Sequence, residues 1–225
     1  MGFAGAFLSH LLTVACLSVG LAGGVWGSLY SWPAAARESA RAQVLVLGDS
    51  ISAGYGIQRE QGWVALLAKR LANANPRVDV ANASISGETT GGGLARLPDL
   101  LKRHRPQLVI VELGGNDGLR GYPVARMQAN LEAIVDLCLK SRAKVVLVGM
   151  EIPPNYGARY VNAFRGVFPT VARSRNVPLL PFLMRDVALD RRLMQRDGIH
   201  PTAAAQPKLL EAIWPDIKQA LGHAR

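Results

Sequence analysis

The sequence predicts a three-layer α/β domain built on a doubly wound parallel sheet. From Gln43 onward, short apolar runs alternate with longer segments that have helical spacing. The short runs are apolar at successive positions, which is typical of strands covered on both faces. Regular alternation of strand and helix predicts parallel strands with helices on both sides. The five predicted strands centre on Val44–Leu47, Val78–Val80, Leu108–Val111, Val145–Val148 and Val177–Leu180.

Five longer segments between these runs carry apolar residues at helical spacing. We predict helices over Trp63–Ala72, Leu94–Lys102, Val124–Ser141, Tyr160–Ser174 and about Ala203–Leu221. Open parallel sheets bind ligands beyond the carboxyl ends of their strands. The loops that follow the strands are therefore where functional residues are expected.

The first 36 residues differ from the remainder of the chain. They contain no Asp, Glu, Lys or Arg and are mostly apolar, which predicts export or membrane insertion. Small residues at Ala34–Ala36 suit a signal peptidase, whereas the length of the apolar run also suits a membrane anchor. We expect residues 1–36 to be one or the other and residues 37–225 to form a single domain.

Composition supports a folded, basic domain. Apolar residues make up 49% of the 225 residues and charged residues 19%, which suits a continuous core. Loss of residues 1–36 would leave Cys138 as the single cysteine, so no intrachain disulfide is expected, and its apolar helical setting predicts a buried thiol. Lys plus Arg exceed Asp plus Glu by 26 to 16, which permits contact with an anionic membrane surface.

The same charge balance does not indicate nucleic-acid binding. The densest basic cluster, 102–105, falls where a helix should end and where cations favour the helix dipole. No aromatic residues are interleaved with it to stack on bases. We therefore expect no nucleic-acid partner.

A serine, a histidine and an aspartate are spaced for nucleophilic catalysis. Ser50 follows a buried strand and a glycine at a predicted helix start, so its hydroxyl should face the crevice. Among the four histidines, His200 alone lies in a Gly/Pro-bounded loop with a carboxylate, Asp197, three residues before it. That spacing lets the carboxylate hold one ring nitrogen so that the other can take a proton from a serine. An N-capping serine and a turn-capping aspartate are the alternative interpretation.

Acyl transfer also needs hydrogen-bond donors for the developing oxyanion. Gly87 has no side chain to block its backbone N–H, and Asn116 offers a carboxamide from a glycine-rich loop. The N–H of Ser50 is a third candidate. Each residue has a simpler explanation as a turn or cap residue, but together they surround one crevice.

These residues resemble the four blocks of the GDSL/SGNH hydrolases, in order. The matching segments, which extend the likeness from Gln43 to about Leu221, are Gly48-Asp49-Ser50, Asn82 to Gly87, Gly91 to Pro98, Val111 to Gly121, Asn155-Tyr156-Gly157, Asp197-x-x-His200 and Ala205-Gln206-Pro207. These segments are most similar to the bacterial thioesterase and lysophospholipase branch of that family. The resemblance implies a flavodoxin-like fold, a periplasmic location, no cofactor or metal, and hydrolysis of acyl-CoA thioesters, aryl esters and lysophospholipids.

The resemblance also implies residue roles. Ser50, His200 and Asp197 correspond to the catalytic residues, and Ser50, Gly87 and Asn116 to the oxyanion hole. Ile51 replaces the leucine of the family motif, which changes little because both are apolar. The uncharged N-terminus is a larger departure.

Three further residues are candidates for substrate binding. The segment 118–122 is bounded by glycines and is able to move as a lid, or to serve as a fixed connector. We expect Leu119 and Tyr122 in this segment, together with Tyr156, to contact the acyl group. The substrate would be a small acyl ester or thioester, and the enzyme a monomer.

Three other functions fit parts of the sequence. Asp49, Asp117 and Asp197 suit a Mg²⁺-dependent phosphoryl transferase, but that leaves the serine and histidine unexplained. A nucleotide-binding module shares the fold class, yet Arg96 stands where its glycine motif needs glycine. A carbohydrate O-deacetylase of the same family is the main alternative, although 6% aromatic residues offer little for stacking on sugars.

Overall fold

The computed structural model describes residues 42–74 and 77–222. Within them, five parallel strands form one sheet in the order β2-β1-β3-β4-β5. This is the strand order of flavodoxin-like folds and confirms the predicted fold class. The strands are β1 (Ala42–Gly48), β2 (Val78–Asn82), β3 (Leu108–Glu112), β4 (Lys144–Val148) and β5 (Leu179–Leu180).

Seven α-helices accompany the sheet in this part of the chain. They are α1 (Ser50–Ala53), α2 (Trp63–Ala72), α3 (Thr90–His104), α4 (Gly115–Leu119), α5 (Val124–Lys140), α6 (Ala158–Arg175) and α7 (Gln206–Leu221). Helices α3, α5 and α6 pack on the sheet face that presents Leu45, Val109 and Val145. Helices α2 and α7 pack on the other face, against Val44 and Ile110. The side chains of β3 are buried at all five positions and those of β4 at four of five, as the continuous apolar runs predict, whereas β2 is mostly half-buried.

The sheet places two loops side by side at its carboxyl edge. Strands β1 and β3 are neighbours, with Gly48 opposite Glu112 at their carboxyl ends. The chain moves to one side of β1 to form β2 and then crosses to β3 on the other side. Ligands bind at such a switch in strand order, so the loops after β1 and β3 define the expected site.

Two of the differences between the observed and the predicted elements have a clear physical reason. Strand β5 has only two residues because Pro178 and Pro181 bound it and proline cannot donate to a strand ladder. Helix α3 begins at Thr90 rather than Leu94 and so includes three glycines. One of them, Gly93, lies so close to β3 that an added Cβ would be 2.4 Å from Leu113 Cδ1, which explains why a helix keeps glycine there.

Two smaller predictions are confirmed. Cys138 is a free, fully buried thiol, and burial raises its pKa to about 12. The basic cluster lies in the last turn of α3. The predicted export segment, 1–36, lies outside the described residues. In the part of the chain that is described, none of the helices has the length and apolar character needed to cross a bilayer.

Candidate active site

Ser50 is the first residue of a very short helix at the carboxyl end of β1. Asp49 caps this helix, with its Oδ1 accepting a hydrogen bond from the Ile51 N–H at 3.0 Å. Gly54, at φ +74°, ends it in a left-handed conformation that suits glycine. This tight turn places Ser50 beyond the end of β1, in the crevice.

His200 lies on a short hairpin that precedes α7. An isolated antiparallel bridge pairs Met194 with Pro201, and Gln195 N–H donates to the His200 carbonyl at 2.7 Å. Gly198, at φ +68°, makes the turn of this hairpin. These contacts fix the backbone of the segment that carries Asp197 and His200.

The structure brings Ser50, His200 and Asp197 together. His200 Nε2 is 2.9 Å from Ser50 Oγ, and His200 Nδ1 is 2.7 Å from Asp197 Oδ2. The second oxygen, Asp197 Oδ1, accepts the N–H groups of Ile199 and His200 at 2.9 and 3.0 Å. Although desolvation opposes the charge, these hydrogen bonds lower the pKa of Asp197 to about 2. An ionised carboxylate at Nδ1 leaves Nε2 able to take the serine proton.

Each of the three predicted oxyanion donors has an N–H hydrogen without an acceptor in the described part of the protein; Ser50 and Asn116 line the cavity at the site, whereas Gly87 lies outside its lining. Gly87, at φ +80°, accepts a hydrogen bond from Arg120 Nη2 through its carbonyl at 3.0 Å. Within the described residues, the N–H groups of Ser50 and Gly87 donate to no protein acceptor. Asn116, in α4, uses one amide hydrogen on Asp49 Oδ2 at 3.1 Å and has the other available.

Two buried carboxyl groups near Ser50 were not predicted as site residues. Asp49 is 2% exposed and Glu112 is fully buried, and Glu112 Oε2 accepts the Asp49 N–H at 3.3 Å. Burial raises the pKa of Asp49 to about 6, against the hydrogen bonds from Ile51 and Asn116. Burial and the charge of Asp49 raise the pKa of Glu112 well above its ordinary value. A glutamate at the end of an otherwise apolar strand was the sequence signal for this pair.

A cavity of about 800 Å³ opens beside Ser50 and His200. The loops after β1, β3, β4 and β5 and the His200 hairpin line it with mainly apolar side chains. These are Ile51, Leu119, Met150, Ile152, Pro153, Phe182, Met184, Ala188, Leu189, Met194 and Ile199. An apolar chain fits such a wall, next to Ser50 and His200.

The three predicted substrate-binding residues are not brought together. Leu119 lines the cavity, whereas Tyr122 and Tyr156 lie outside its lining. Tyr156 instead donates its hydroxyl to the Leu119 carbonyl at 2.7 Å, and Tyr160 donates to the Tyr122 carbonyl at 2.8 Å. These bonds, with that from Arg120 to Gly87, fasten the segment 118–122 on both sides. Movement of this segment as a lid stays a prediction.

The three carboxylates of the magnesium alternative have separate hydrogen-bond partners. Asp117 accepts the N–H and the hydroxyl of Thr90 at 2.8 and 2.6 Å. Asp49 accepts hydrogen bonds from the Ile51 N–H and the Asn116 amide, and Asp197 accepts one from the His200 N–H. No group of three potential metal ligands occurs among residues 42–74 and 77–222. The arrangement favours acyl transfer over phosphoryl transfer.

Comparison with known proteins agrees with this geometry. The family model described as "GDSL-like Lipase/Acylhydrolase family" matches residues 46–206. The chain is 51% identical to Esterase TesA of Pseudomonas aeruginosa over 82% of its own length and 92% of that protein. It is 43% identical to thioesterase 1/protease 1/lysophospholipase L1 of Escherichia coli K12, over 83% of this chain and 88% of that one.

A solved structure shares the fold. The psychrotrophic esterase EstA from Pseudoalteromonas sp., in a crystal structure inhibited by monoethylphosphonate, superposes with a TM-score of 0.76 and 44% identity. The match covers 80% of this chain and 98% of that one. The matched family region includes Ser50, Gly87, Asn116, Asp197 and His200. The chain therefore belongs to the GDSL-like lipase/acylhydrolase family.

Proposed function

We propose that the protein is a serine hydrolase that cleaves acyl esters and thioesters through an acyl-enzyme on Ser50. The observation that carries this proposal is the continuous hydrogen-bonded chain from Asp197 through His200 to Ser50, at 2.7 and 2.9 Å, beside an apolar cavity. Membership in an acylhydrolase family supports the same reaction.

In the acylation step, His200 Nε2 takes the Ser50 hydroxyl proton while Oγ attacks the carbonyl carbon. The tetrahedral intermediate places negative charge on the former carbonyl oxygen, which the N–H groups of Ser50 and Gly87 and the Asn116 amide stabilise. Collapse breaks the bond to the alcohol or thiol, and His200 returns the proton to that leaving group.

Deacylation repeats these events with water. His200 removes a proton from a water molecule, whose oxygen attacks the acyl-Ser50 carbonyl, and the same three donors hold the second oxyanion. Ser50 leaves with the proton from His200, and the carboxylic acid is released. Asp197 remains ionised throughout and fixes the tautomer and orientation of the imidazole.

The proposed substrates are aryl esters, acyl-CoA thioesters and lysophospholipids. The mainly apolar cavity supports an acyl chain as the bound group. A carbohydrate O-deacetylase, the alternative from the sequence, finds less support here. Apart from the His200 ring, Phe182 is the one aromatic side chain among the described residues of the lining, which leaves little surface for stacking a sugar.

We further propose export to the periplasm, with residues 1–36 acting as a signal peptide or as a tether to the inner membrane, and with residues 37–225 as the catalytic domain. The uncharged apolar segment supports this location. The proposed form is a monomer whose net charge of +10 favours contact with anionic lipid. No cofactor takes part in the proposed reaction.

A substrate panel tests the proposed function. Rates of hydrolysis would be measured for p-nitrophenyl esters of increasing chain length, an acyl-CoA, a lysophospholipid and an acetylated sugar. The proposal predicts that kcat/KM rises from acetyl to longer acyl chains and that thioesters are cleaved. Turnover of the acetylated sugar with none of the longer esters would instead establish the deacetylase.

A further inference from the structure

A buried carboxylate lies between the nucleophile and an oxyanion donor. Asp49 uses Oδ1 to accept the Ile51 N–H at 3.0 Å and Oδ2 to accept Asn116 Nδ2 at 3.1 Å. Both partners are donors without a lone pair to offer, so both oxygens must be acceptors. A carboxylate satisfies this requirement, whereas a carboxamide offers only one acceptor.

Resting on the proposed function, we propose that Asp49 is a positioning residue that aims the Asn116 carboxamide at the substrate carbonyl oxygen. The terminal torsion of asparagine has a broad energy minimum, so an unrestrained amide would swing. The bond to Asp49 fixes the amide plane through one hydrogen. The other hydrogen is then held in a defined direction, and Asn116 lines the catalytic cavity.

Glycine at position 115 leaves room for the contact between Asp49 and Asn116. Gly115 precedes Asn116, and a Cβ added there would lie 3.2 Å from Asp49 Oδ2 and 3.0 Å from Met150 Cε. Any larger residue at 115 would crowd Asp49. The glycine of the Gly-Asn-Asp block therefore serves the approach of Asp49 to Asn116.

Glu112 supports Asp49 from beneath. Its Oε2 accepts the Asp49 N–H at 3.3 Å and the Ser52 hydroxyl at 2.5 Å. Gly48 permits this approach, since an added Cβ would lie 2.7 Å from that oxygen. Two adjacent buried carboxyl groups do not both ionise readily.

The charge of this pair belongs to Asp49. Its oxygens accept two hydrogen bonds from N–H donors, and these bonds favour the ionised form of Asp49. Glu112 has one oxygen, Oε1, that is buried without a partner among the described residues, and its pKa is raised well above the ordinary value. Glu112 is then the neutral member, and it fixes the turn that carries Asp49.

A double-mutant cycle tests the role of Asp49. In Asp49→Asn the side-chain amide NH2 faces one of the two N–H donors and cannot accept its hydrogen bond. The kcat should fall roughly 10²-fold, as it does when a catalytic group is displaced, with KM nearly unchanged. In an Asn116→Ala background the same substitution should lower kcat by less than about threefold, because its effect passes through Asn116. Rates are normalised to active sites titrated with a fluorophosphonate.

A second variant protects the test against misfolding. Asp49→Ser still caps the Ile51 N–H, since serine is a good N-cap, but is too short to reach Asn116. It should show the same loss of kcat as Asp49→Asn. Asp117→Asn is the matched control, because Asp117 is 3% exposed and also loses a hydrogen bond, from Thr90, without contact to the Asn116 side chain. That control should lower the Tm and leave kcat per titrated site unchanged.

Two results would overturn the proposal. One is a kcat of Asp49→Ser equal to that of the wild type. The other is the same fold loss from Asp49→Asn whether residue 116 is asparagine or alanine. A wild-type protein with no ester hydrolysis would instead contradict the proposed function itself.

Discussion

The ring of Tyr55 packs against the imidazole of His200, with the ring centroids 4.5 Å apart and the planes tilted by 41°. The Tyr55 carbonyl also accepts a hydrogen bond from Gln195 Nε2 at 2.8 Å, and Gln195 belongs to the His200 hairpin. Tyr55 follows the short helix that begins at Ser50. Tyr55 therefore joins the turn after the Ser50 helix to the His200 hairpin.

Loss of this ring contact should slow catalysis. Tyr55→Ala is expected to lower kcat about 2- to 12-fold, the equivalent of about 0.5–1.5 kcal/mol for an aromatic pair, because the imidazole loses one of its supports. Tyr55→Phe keeps the ring and should keep kcat. Steady-state kinetics on a soluble aryl ester would check both, and equal rates for all three proteins would remove Tyr55 from the account.

The side chain of Asn116 should matter to the chemical step. Asn116→Ala is expected to lower kcat on the order of 10²–10³-fold, because the lost hydrogen bond strengthens as charge develops on the carbonyl oxygen. KM should change much less. If Asn116 only stabilised the fold, the Tm and the titrated active fraction would fall while kcat per titrated Ser50 stayed normal.

Glu112 should make the stability of the protein depend on pH. Its pKa is raised in the folded state, so folded protein holds a proton that the unfolded chain releases above the ordinary value of 4.5. The stabilising contribution is complete below that value and is lost as pH rises through the folded pKa. This one proton adds a decline of up to about 1.4 kcal/mol per pH unit to the free energy of unfolding.

Glu112→Gln should remove that decline. Glutamine keeps an acceptor for the Asp49 N–H and the Ser52 hydroxyl but has no proton to lose in this range. Urea titrations at several pH values between 5 and 8 would give the two slopes. Parallel curves for the wild type and the variant would show that Glu112 is ionised in the folded protein.

Removal of residues 1–36 should leave a soluble and fully active enzyme. All the site residues lie beyond this segment, and the described core is formed by residues after 42. Activity and thermal melting of the shortened and full chains would be compared. A shortened chain that failed to fold would place the segment within the catalytic domain.

Most of the fold was predictable because the sheet is parallel and covered on both faces. Strand β3 is apolar from Leu108 to Val111, and α2 begins and ends where the periodicity predicts. Strand β5 was predicted with four residues instead of two because its apolar run includes Pro178. Proline has no N–H to donate to a neighbouring strand, and the effect of that loss depends on the strand pairing, which the run alone does not give. The start of α3 was predicted too late because three glycines precede Leu94. The close packing of Gly93 against Leu113 is evident only in the folded structure.

The site was predictable where chemistry requires a residue type at a fixed spacing. Ser50, Asp197 and His200 stand out because a nucleophile, a base and its orienting carboxylate have few substitutes. Glu112 carried only a weak signal, a charged residue ending an apolar strand, and Tyr55 carried none, since their roles come from contacts across 63 and 145 residues of chain. Tyr122 and Tyr156 were expected at the cavity from their loops, but loop identity does not determine where a side chain points.

Identification of the residue that becomes covalently modified tests the account most directly. A fluorophosphonate probe should label the wild-type protein once, with the adduct on Ser50 as located by peptide mass spectrometry, and should abolish ester hydrolysis in proportion to labelling. Ser50→Ala should show neither labelling nor turnover while retaining the wild-type melting profile. Labelling at another residue, or ester hydrolysis that persists in Ser50→Ala, would contradict the assignment of Ser50 as the nucleophile.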